Sequence, residues 1–290
     1  MVVKLHLKID FPIEYMRIFK NHRKSELYGL MPIFAEIYLV LTRYFIFISF
    51  KGTLYHGWQL QPKAITIQMI LDEAITMILG EKISTTGAGR TDAGVHAHYF
   101  CAHFDSLNPD LAKRKNLIFR LNRFLPNDIS VTDIRKVLPD ANARFSAISR
   151  TYKYYVSHIK DPFNDDLSWF IQGNLDVEAM NRASKLLLKH SDFTSFSRLH
   201  SDNKTNLCKI YQAGWEISGN MLVFTIRADR FLRNMVRAIV GTIIQAGRGK
   251  IVPDDFERII VAKNRSSAGM SAPAKGLFLT AIEYPEEIFV

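Results

Sequence analysis

Residues 215–228 read WEISGNMLVFTIRA, and this stretch decides the class of fold. Two runs rich in β-branched and aromatic residues, 215–218 and 221–228, are separated by Gly219 and Asn220 alone. A pair of this kind between two such runs is typical of the two-residue turn of a β-hairpin. The segment therefore predicts neighbouring antiparallel strands.

Other segments around the hairpin alternate between strand-like and helix-like patterns. Thr66 opens a run with apolar residues at helical spacing that Gly80 ends, while Asp176 and Asp229 are suitable N-caps for two further helices. Helices are predicted at 66–80, 111–124, 176–188 and 229–246, and further strands at 43–50, 95–104, 152–159 and 277–283. Mixed elements with a hairpin predict an α+β fold, with helices packed on a largely antiparallel mixed sheet.

The pattern also suggests how the chain is divided. Residues 1–42 have no clear period and are predicted to be an extension of unknown role. Residues 43–150 and 151–290 each combine strands with helices, which predicts two α/β subdomains. A central cleft between two such halves is a natural place for an active site.

Composition limits the function classes. Lys and Arg total 38 against 28 for Asp and Glu, and a net charge of +10 favours a polyanionic partner such as a nucleic acid. The two cysteines, Cys101 and Cys208, lack metal-binding spacing and are expected to be reduced thiols of a cytosolic protein. The apolar stretch 33–50 contains Glu36 and Arg43, so neither a membrane span nor export is predicted.

Residues 87–97, GAGRTDAGVHA, carry the strongest chemical signal. Three glycines allow a tight turn or the close approach of a ligand. Arg90 and Asp92 would point the same way in extended backbone, and a neighbouring arginine favours an ionised carboxylate, which can act as nucleophile or base. By itself the pattern is equally typical of a turn with a surface ion pair, and it matches neither a dinucleotide fingerprint nor a P-loop.

GAGRTDAGVHA resembles the signature motif of the bacterial tRNA pseudouridine synthase A family. Further matches occur in the same order along about 43–285: YHGWQ at 55–59, RFSA at 144–147 followed by Arg150, Tyr152 and Tyr154, DFTSF at 192–196, NMVR at 234–237 with Gly241, and APA at 272–274 with Gly276 and Leu277. The chain is identified by this series as a member of that family.

The resemblance implies an isomerase that converts uridine to pseudouridine at positions 38, 39 and 40 of the tRNA anticodon stem-loop. It implies a cytoplasmic homodimer that uses no cofactor and no metal. Carried over residue by residue, Asp92 is the catalytic carboxylate and Arg90 pairs with it and helps to open the RNA. Tyr152 stacks against the target uracil, and Arg237 is a basic residue near the active site.

Two basic clusters are expected to contact phosphates. Arg230, Arg233 and Arg237 would form one stripe on the helix predicted after Asp229. A second cluster comprises Lys113, Arg114, Lys115, Arg120 and Arg123. The phosphate contacts are assigned to Arg230, Arg233, Lys113, Arg114 and Lys115, whereas His96 and His98 are interpreted as structural residues.

Two alternatives remain open at this point. One is a non-catalytic RNA-binding protein on the same fold, against which the intact Arg90-Thr91-Asp92 sequence counts. The other is an aspartate-dependent hydrolase of a small molecule, which would require a second carboxylate or a metal cluster near Asp92. Release of free uracil would distinguish the hydrolase from an isomerase.

Overall fold

The computed structural model describes residues 41–114, 116–198 and 205–290. The predicted extension at 1–42 therefore lies outside the described residues except for its last two positions, and Lys115 lies outside them as well. Within these ranges, no helix is long and apolar enough to cross a membrane.

One mixed sheet forms the centre of the molecule. Its strands are β1 Thr42–Phe50, β2 Thr86–Gly87, β3 His96–Ser106, β4 Ile129–Lys136, β5 Ser149–Ser157, β6 Trp169–Phe170, β7 Ile210–Ser218, β8 Met221–Ala228 and β9 Leu277–Glu283. The order across the sheet is β4-β1-β3-β9-β5-β8-β7, with β2 beside β3 and β6 beside β5. The β3–β9 and β5–β6 pairs are parallel and the other pairs are antiparallel. The predicted α+β class, with its 219–220 hairpin, is confirmed.

Helices cover the sheet, and several begin and end where their caps predict. They are α1 Ile67–Leu79, α2 Leu117–Phe124, α3 Val177–Leu186, α4 Met235–Gly247 and α5 Pro253–Val261. Thr66 Oγ1 accepts a hydrogen bond from the Met69 N–H at 3.3 Å, and Gly80 ends α1 with a left-handed φ of 71°. Asp176 Oδ1 accepts one from the Ala179 N–H at 2.8 Å.

The prediction that Asp229 caps a helix is wrong. Helix α4 begins at Met235, because Asn234 takes a left-handed φ of 64° that a continuous right-handed helix does not allow. Asp229 Oδ1 instead accepts hydrogen bonds from the backbone N–H groups of Lys209 and Arg230, at 2.8 and 2.7 Å. Arg230 and Arg233 consequently lie in a loop, so the predicted helical stripe of three arginines does not exist.

Other boundaries also differ from the sequence pattern: β5 begins at Ser149 rather than 152, and β7 begins at Ile210 rather than 215. The helix predicted at 111–124 is divided into a short 3-10 helix, Leu111–Lys113, and α2. The pattern also missed β4 and α5, although Pro253 at the first position of α5 is a typical helix start.

The buried apolar side chains form two clusters, and β9 belongs to both. Leu279 and Ile282 pack in the cluster around β1 and β3, while Leu277 packs in the cluster around α4. The last strand of the chain therefore lies between the two halves and joins them in one sheet. The boundary expected at 150 falls within β5.

Candidate active site

The loop that carries Asp92 connects β2 to β3 and rests on the segment after β1. Gly57 has a φ of 83°, and a Cβ atom there would lie 2.2 Å from the carbonyl oxygen of Thr91. The Gly94 N–H also donates a hydrogen bond to the Tyr55 carbonyl at 3.3 Å. Glycine at 57 is therefore required for the two segments to pack, and this contact fixes the backbone on either side of Asp92.

Asp92 is surrounded by positive charge from the second half of the chain. Arg237 Nη1 donates a hydrogen bond to Asp92 Oδ2 at 3.0 Å, and Arg233 Nε lies 3.8 Å from Oδ1. The Asp92 side chain is 21% exposed, so it is partly shielded from water and still accessible. The carboxylate therefore has one guanidinium hydrogen-bonded to it and a second within ion-pair distance.

Helix α4 and the segment before β9 hold Arg237 in place. Arg237 Nε donates to the Ala272 carbonyl at 2.8 Å, and the Ala272 N–H donates to the Arg237 carbonyl at 2.9 Å. A Cβ atom at Gly241 would lie 1.8 Å from the Met270 carbonyl oxygen, so glycine there allows the helix to approach this segment closely. With both its Nε and Nη1 engaged, the Arg237 fork has a defined orientation toward Asp92.

Tyr152 on β5 is the aromatic residue of the site. Its half-buried ring packs edge-on against Phe231, with centroids 5.1 Å apart and an interplanar angle of 90°. Burial raises the pKa of its phenol to about 12, against the opposing effect of the Arg150 charge. The tyrosine is therefore neutral at physiological pH.

Arg90 is not the ion-pair partner of Asp92. Across the described residues, the ion pairs of Asp92 are with Arg233 and Arg237, and Arg90 is exposed. Residues 90–92 are not in a strand, so the alternation of side chains expected for extended backbone does not apply. The sequence assigned this cation to Arg90, two residues from Asp92. In the structure it is Arg237 on α4, 145 positions later.

The predicted phosphate contacts lie in two places. Arg230 is half-buried and Arg233 exposed in the loop before α4, and Arg233 is the one of the two shown beside Asp92. Lys113 and Arg114 are exposed before α2, where Lys113 Nζ forms a surface ion pair with Asp110 at 2.8 Å.

Arg150 is a central residue of the site to which the sequence motif assigned no role. Its Nη1 donates to the carbonyls of Ala147 and Asp229 at 3.3 and 2.8 Å. Its Nη2 donates to the carbonyl of Ala88 at 3.1 Å and also to that of Arg144. One guanidinium thus joins the Asp92 loop, the RFSA segment and the start of the Arg233 loop, two residues before Tyr152.

His96 supports the site without facing it. Its Nδ1 accepts a hydrogen bond from the Gly52 N–H at 3.0 Å, so the proton is on Nε2, which lies 3.1 Å from the Lys275 carbonyl. Burial lowers the pKa of the imidazole, which keeps the ring neutral. Within the described parts of the chain, no group of three or more His, Cys, Asp and Glu side chains could hold a metal ion.

Known proteins resemble this chain over most of its length. A family model for tRNA pseudouridine synthase matches residues 183–285. The tRNA pseudouridine synthase A of Parabacteroides distasonis is 53% identical over 86% of this chain and 98% of its own length. The enzymes of the same name from Bacteroides fragilis and Porphyromonas gingivalis are 53% and 48% identical, over 85% and 86% of this chain and 98% and 100% of their own lengths. The chain therefore belongs to the tRNA pseudouridine synthase A family.

Proposed function

We propose that this chain isomerises uridine to pseudouridine at positions 38, 39 and 40 of the tRNA anticodon stem-loop, with Asp92 as the catalytic carboxylate. Family membership supports an isomerase that acts on uridine in tRNA. One observation carries the assignment of the residue. Asp92 combines partial exposure with a guanidinium 3.0 Å away, and Arg150 bonds its loop to the strand that carries Tyr152.

The reaction needs little apparatus beyond such a carboxylate. The bond from uracil N1 to the ribose breaks, the base turns, and C5 forms a bond to the same sugar carbon. C5 then loses its proton and N1 takes one up, so atoms and electrons balance without an oxidant or an added group. An ionised Asp92 can act as a nucleophile or as a base in this sequence. Arg237 and Arg233 lie 3.0 and 3.8 Å from its two oxygens, and the hydrogen bond from Arg237 orients it.

The target base must leave the helical stack to reach Asp92, which costs a few kcal/mol. An aromatic face such as that of Tyr152 can hold the extruded uracil by stacking. Arg90 is exposed and has no ion pair with any described residue, so it is available to enter the space that the base leaves.

Positive charge on both halves would bind the RNA backbone. We assign phosphate contacts to Arg230 and Arg233 in the loop before α4, and to Lys113, Arg114 and Lys115 before α2. Five such contacts would make the association constant fall steeply with salt, with a logarithmic slope of about −4. A titration of tRNA between low and physiological salt measures this slope, and a slope near zero would contradict the assignment.

The family resemblance further leads us to propose a cytoplasmic homodimer, with each tRNA lying across both subunits. Light scattering of the purified protein, alone and with tRNA, tests the stoichiometry. A monomer that retains full activity would rule out a required dimer, and cell fractionation tests the compartment.

The decisive experiment replaces the carboxylate with its neutral isostere. Asp92→Asn should abolish pseudouridine formation in a tRNA transcript and leave tRNA binding within about two-fold, because the amide keeps the shape and removes the charge. Asp133→Asn is the matched control, since Asp133 forms a surface ion pair with Arg135 at 2.6 Å. Substantial activity in the Asp92 variant would refute the assignment, and mapping of the product would identify the modified positions.

The same assay separates the alternatives. A non-catalytic RNA-binding protein would bind tRNA but would form no pseudouridine, even with both Asp92 and Asp133 unchanged. Metal-independent activity on tRNA, with no release of free uracil, would eliminate the hydrolase of a small molecule, because an isomerase keeps the base attached to its sugar.

A further inference from the structure

The Phe145 side chain is 79% exposed, although removal of an apolar ring from water is energetically favourable. The turn that carries it, residues 142–146, is held by its own hydrogen bonds. Asn142 Oδ1 accepts from the backbone N–H groups of Arg144 and Phe145, at 2.9 and 3.2 Å. Ser146 and Asn142 form two hydrogen bonds of 2.9 Å. The Ser146 N–H donates to the Asn142 carbonyl, and the Asn142 N–H donates to the Ser146 hydroxyl oxygen. The exposed ring therefore stands on a pre-organised turn.

This turn is also fixed to the body of the protein. The Ala143 N–H donates to His103 Nδ1 at 3.1 Å, and the Tyr284 hydroxyl donates to the Ala143 carbonyl at 2.6 Å. Both partners belong to the sheet or follow it directly, so the turn has little freedom to fold the ring away from solvent.

Arg150 connects the turn to the Asp92 loop. Its Nη2 donates both to the Arg144 carbonyl and to the Ala88 carbonyl, four residues before Asp92. Two carbonyl oxygens on one nitrogen cannot be far apart. The turn bearing Phe145 therefore lies next to the start of the loop that bears Asp92.

The neighbouring charge indicates the occupant. The Arg144 guanidinium lies 5.4 Å from the centroid of the Phe145 ring, and Arg144 is itself exposed. An aromatic face beside a cation matches a nucleotide, which offers a base to stack and a phosphate to pair. Together with the net charge of +10, this pair favours RNA over an apolar protein surface, which would not require the arginine.

We propose that Phe145 stacks on a nucleobase of the substrate tRNA outside the catalytic pocket, next to the uridine being isomerised, while Arg144 contacts the adjoining phosphate. The proposal rests on tRNA being the substrate and deepens it by naming a contact that positions the RNA. Phe145 contacts substrate but no reacting atom, so its loss acts on binding and on the placement of the uridine.

The test measures binding in an Asp92→Asn background, where no turnover interferes. A tRNA transcript carries the fluorescent adenine analogue 2-aminopurine in its anticodon loop. Phe145→Ala should weaken binding by about 5- to 100-fold and remove the quenching caused by stacking. Phe145→Leu keeps an apolar side chain without a π face and should behave like alanine, whereas Phe145→Trp should bind within about two-fold of the parent.

Phe163→Ala is the matched control. Phe163 is 91% exposed, and it lies beyond the far end of β5 from Phe145, about 30 Å along the nine-residue strand. Its removal should leave affinity and quenching unchanged. Equal affinities for the Phe145 variants and their parent would overturn the proposal, as would an equal loss in the Phe163 variant. If the Asp92→Asn parent, with Phe145 unchanged, still formed pseudouridine, the catalytic assignment would be refuted. The result on stacking would stand independently.

Discussion

Arg237 and Asp92 are 145 positions apart in sequence, and the structure joins Nη1 of the arginine to Oδ2 of the aspartate at 3.0 Å. The arginine lies on α4 in the second half of the chain, and the aspartate follows β2 in the first. The surroundings of the candidate catalytic group therefore depend on how the two halves pack. This pair also explains why both halves contribute motifs of the family.

Arg237→Lys should lower the single-turnover rate of pseudouridine formation at least about ten-fold. A lysine ammonium is a single point charge and cannot serve the Ala272 carbonyl and the Asp92 carboxylate at once, and about 1.4 kcal/mol of lost stabilisation is ten-fold in rate. Arg182→Lys is the control, because Arg182 forms a surface pair on α3 with Glu178 at 3.6 Å. Unchanged turnover in the Arg237 variant would show that the fork is not needed.

Arg150→Lys should lower the free energy of unfolding by roughly 2–4 kcal/mol, because hydrogen bonds from a charged donor contribute about 1.5–3 kcal/mol each and lysine cannot reach all four carbonyls. Urea denaturation measures the change. The variant should also lose activity at temperatures where it remains folded, since the loops of Asp92 and Arg233 lose their shared contact. A loss of less than about 0.5 kcal/mol, as expected for a surface arginine, would contradict this role.

Stability should fall on acidification partly through His103. Burial, assisted by Arg43, lowers the pKa of this histidine from 6.5 to about 4. Between about pH 6.5 and 4 the imidazole is protonated in the unfolded chain but not in the folded chain. The contribution of His103 to the free energy of unfolding is therefore complete above about pH 6.5 and is lost as the pH falls toward 4. At about 1.4 kcal/mol per pKa unit, the loss approaches roughly 3 kcal/mol.

Urea denaturation at several pH values checks this expectation. His103→Gln offers an oxygen to the Ala143 N–H and cannot take up the proton, so its stability should depend less on pH between 6.5 and 4. Parallel curves for the two proteins would show that His103 does not contribute.

Thr91→Val should stabilise the protein by about 1 kcal/mol. The Thr91 hydroxyl oxygen is buried and has no hydrogen-bond partner among the described residues, and a buried unsatisfied group costs about 1–3 kcal/mol. Thr85→Val is the opposite control, because the Thr85 hydroxyl donates to Asp72 at 2.6 Å and its loss should destabilise. Thermal and urea denaturation of both variants give the signs, and a destabilised Thr91 variant would reveal a partner for that hydroxyl.

Local patterns predicted the elements whose ends are set by local chemistry. The hairpin at Gly219 and the helix between Thr66 and Gly80 depend on a turn, a cap and a left-handed glycine, all within a few residues. Strand β9 also occurs at the predicted positions. The start of α4 was not predictable in this way, because Asp229 is bound by the Lys209 N–H from 20 positions earlier and Asn234 is held by the Ser271 hydroxyl at 2.6 Å.

The sequence by itself determined the class of fold, the family and the identity of Asp92 as the candidate carboxylate, because periodicity, turn residues and motif order are properties of short segments. Tertiary structure decided which cations surround that carboxylate. The sequence suggested Arg90, two residues away, whereas packing brings Arg237 and Arg233 from the other half and gives Arg150 its four carbonyl partners. Electrostatic contacts depend on distance in space, and only the close packing of the two halves on a shared sheet sets those distances.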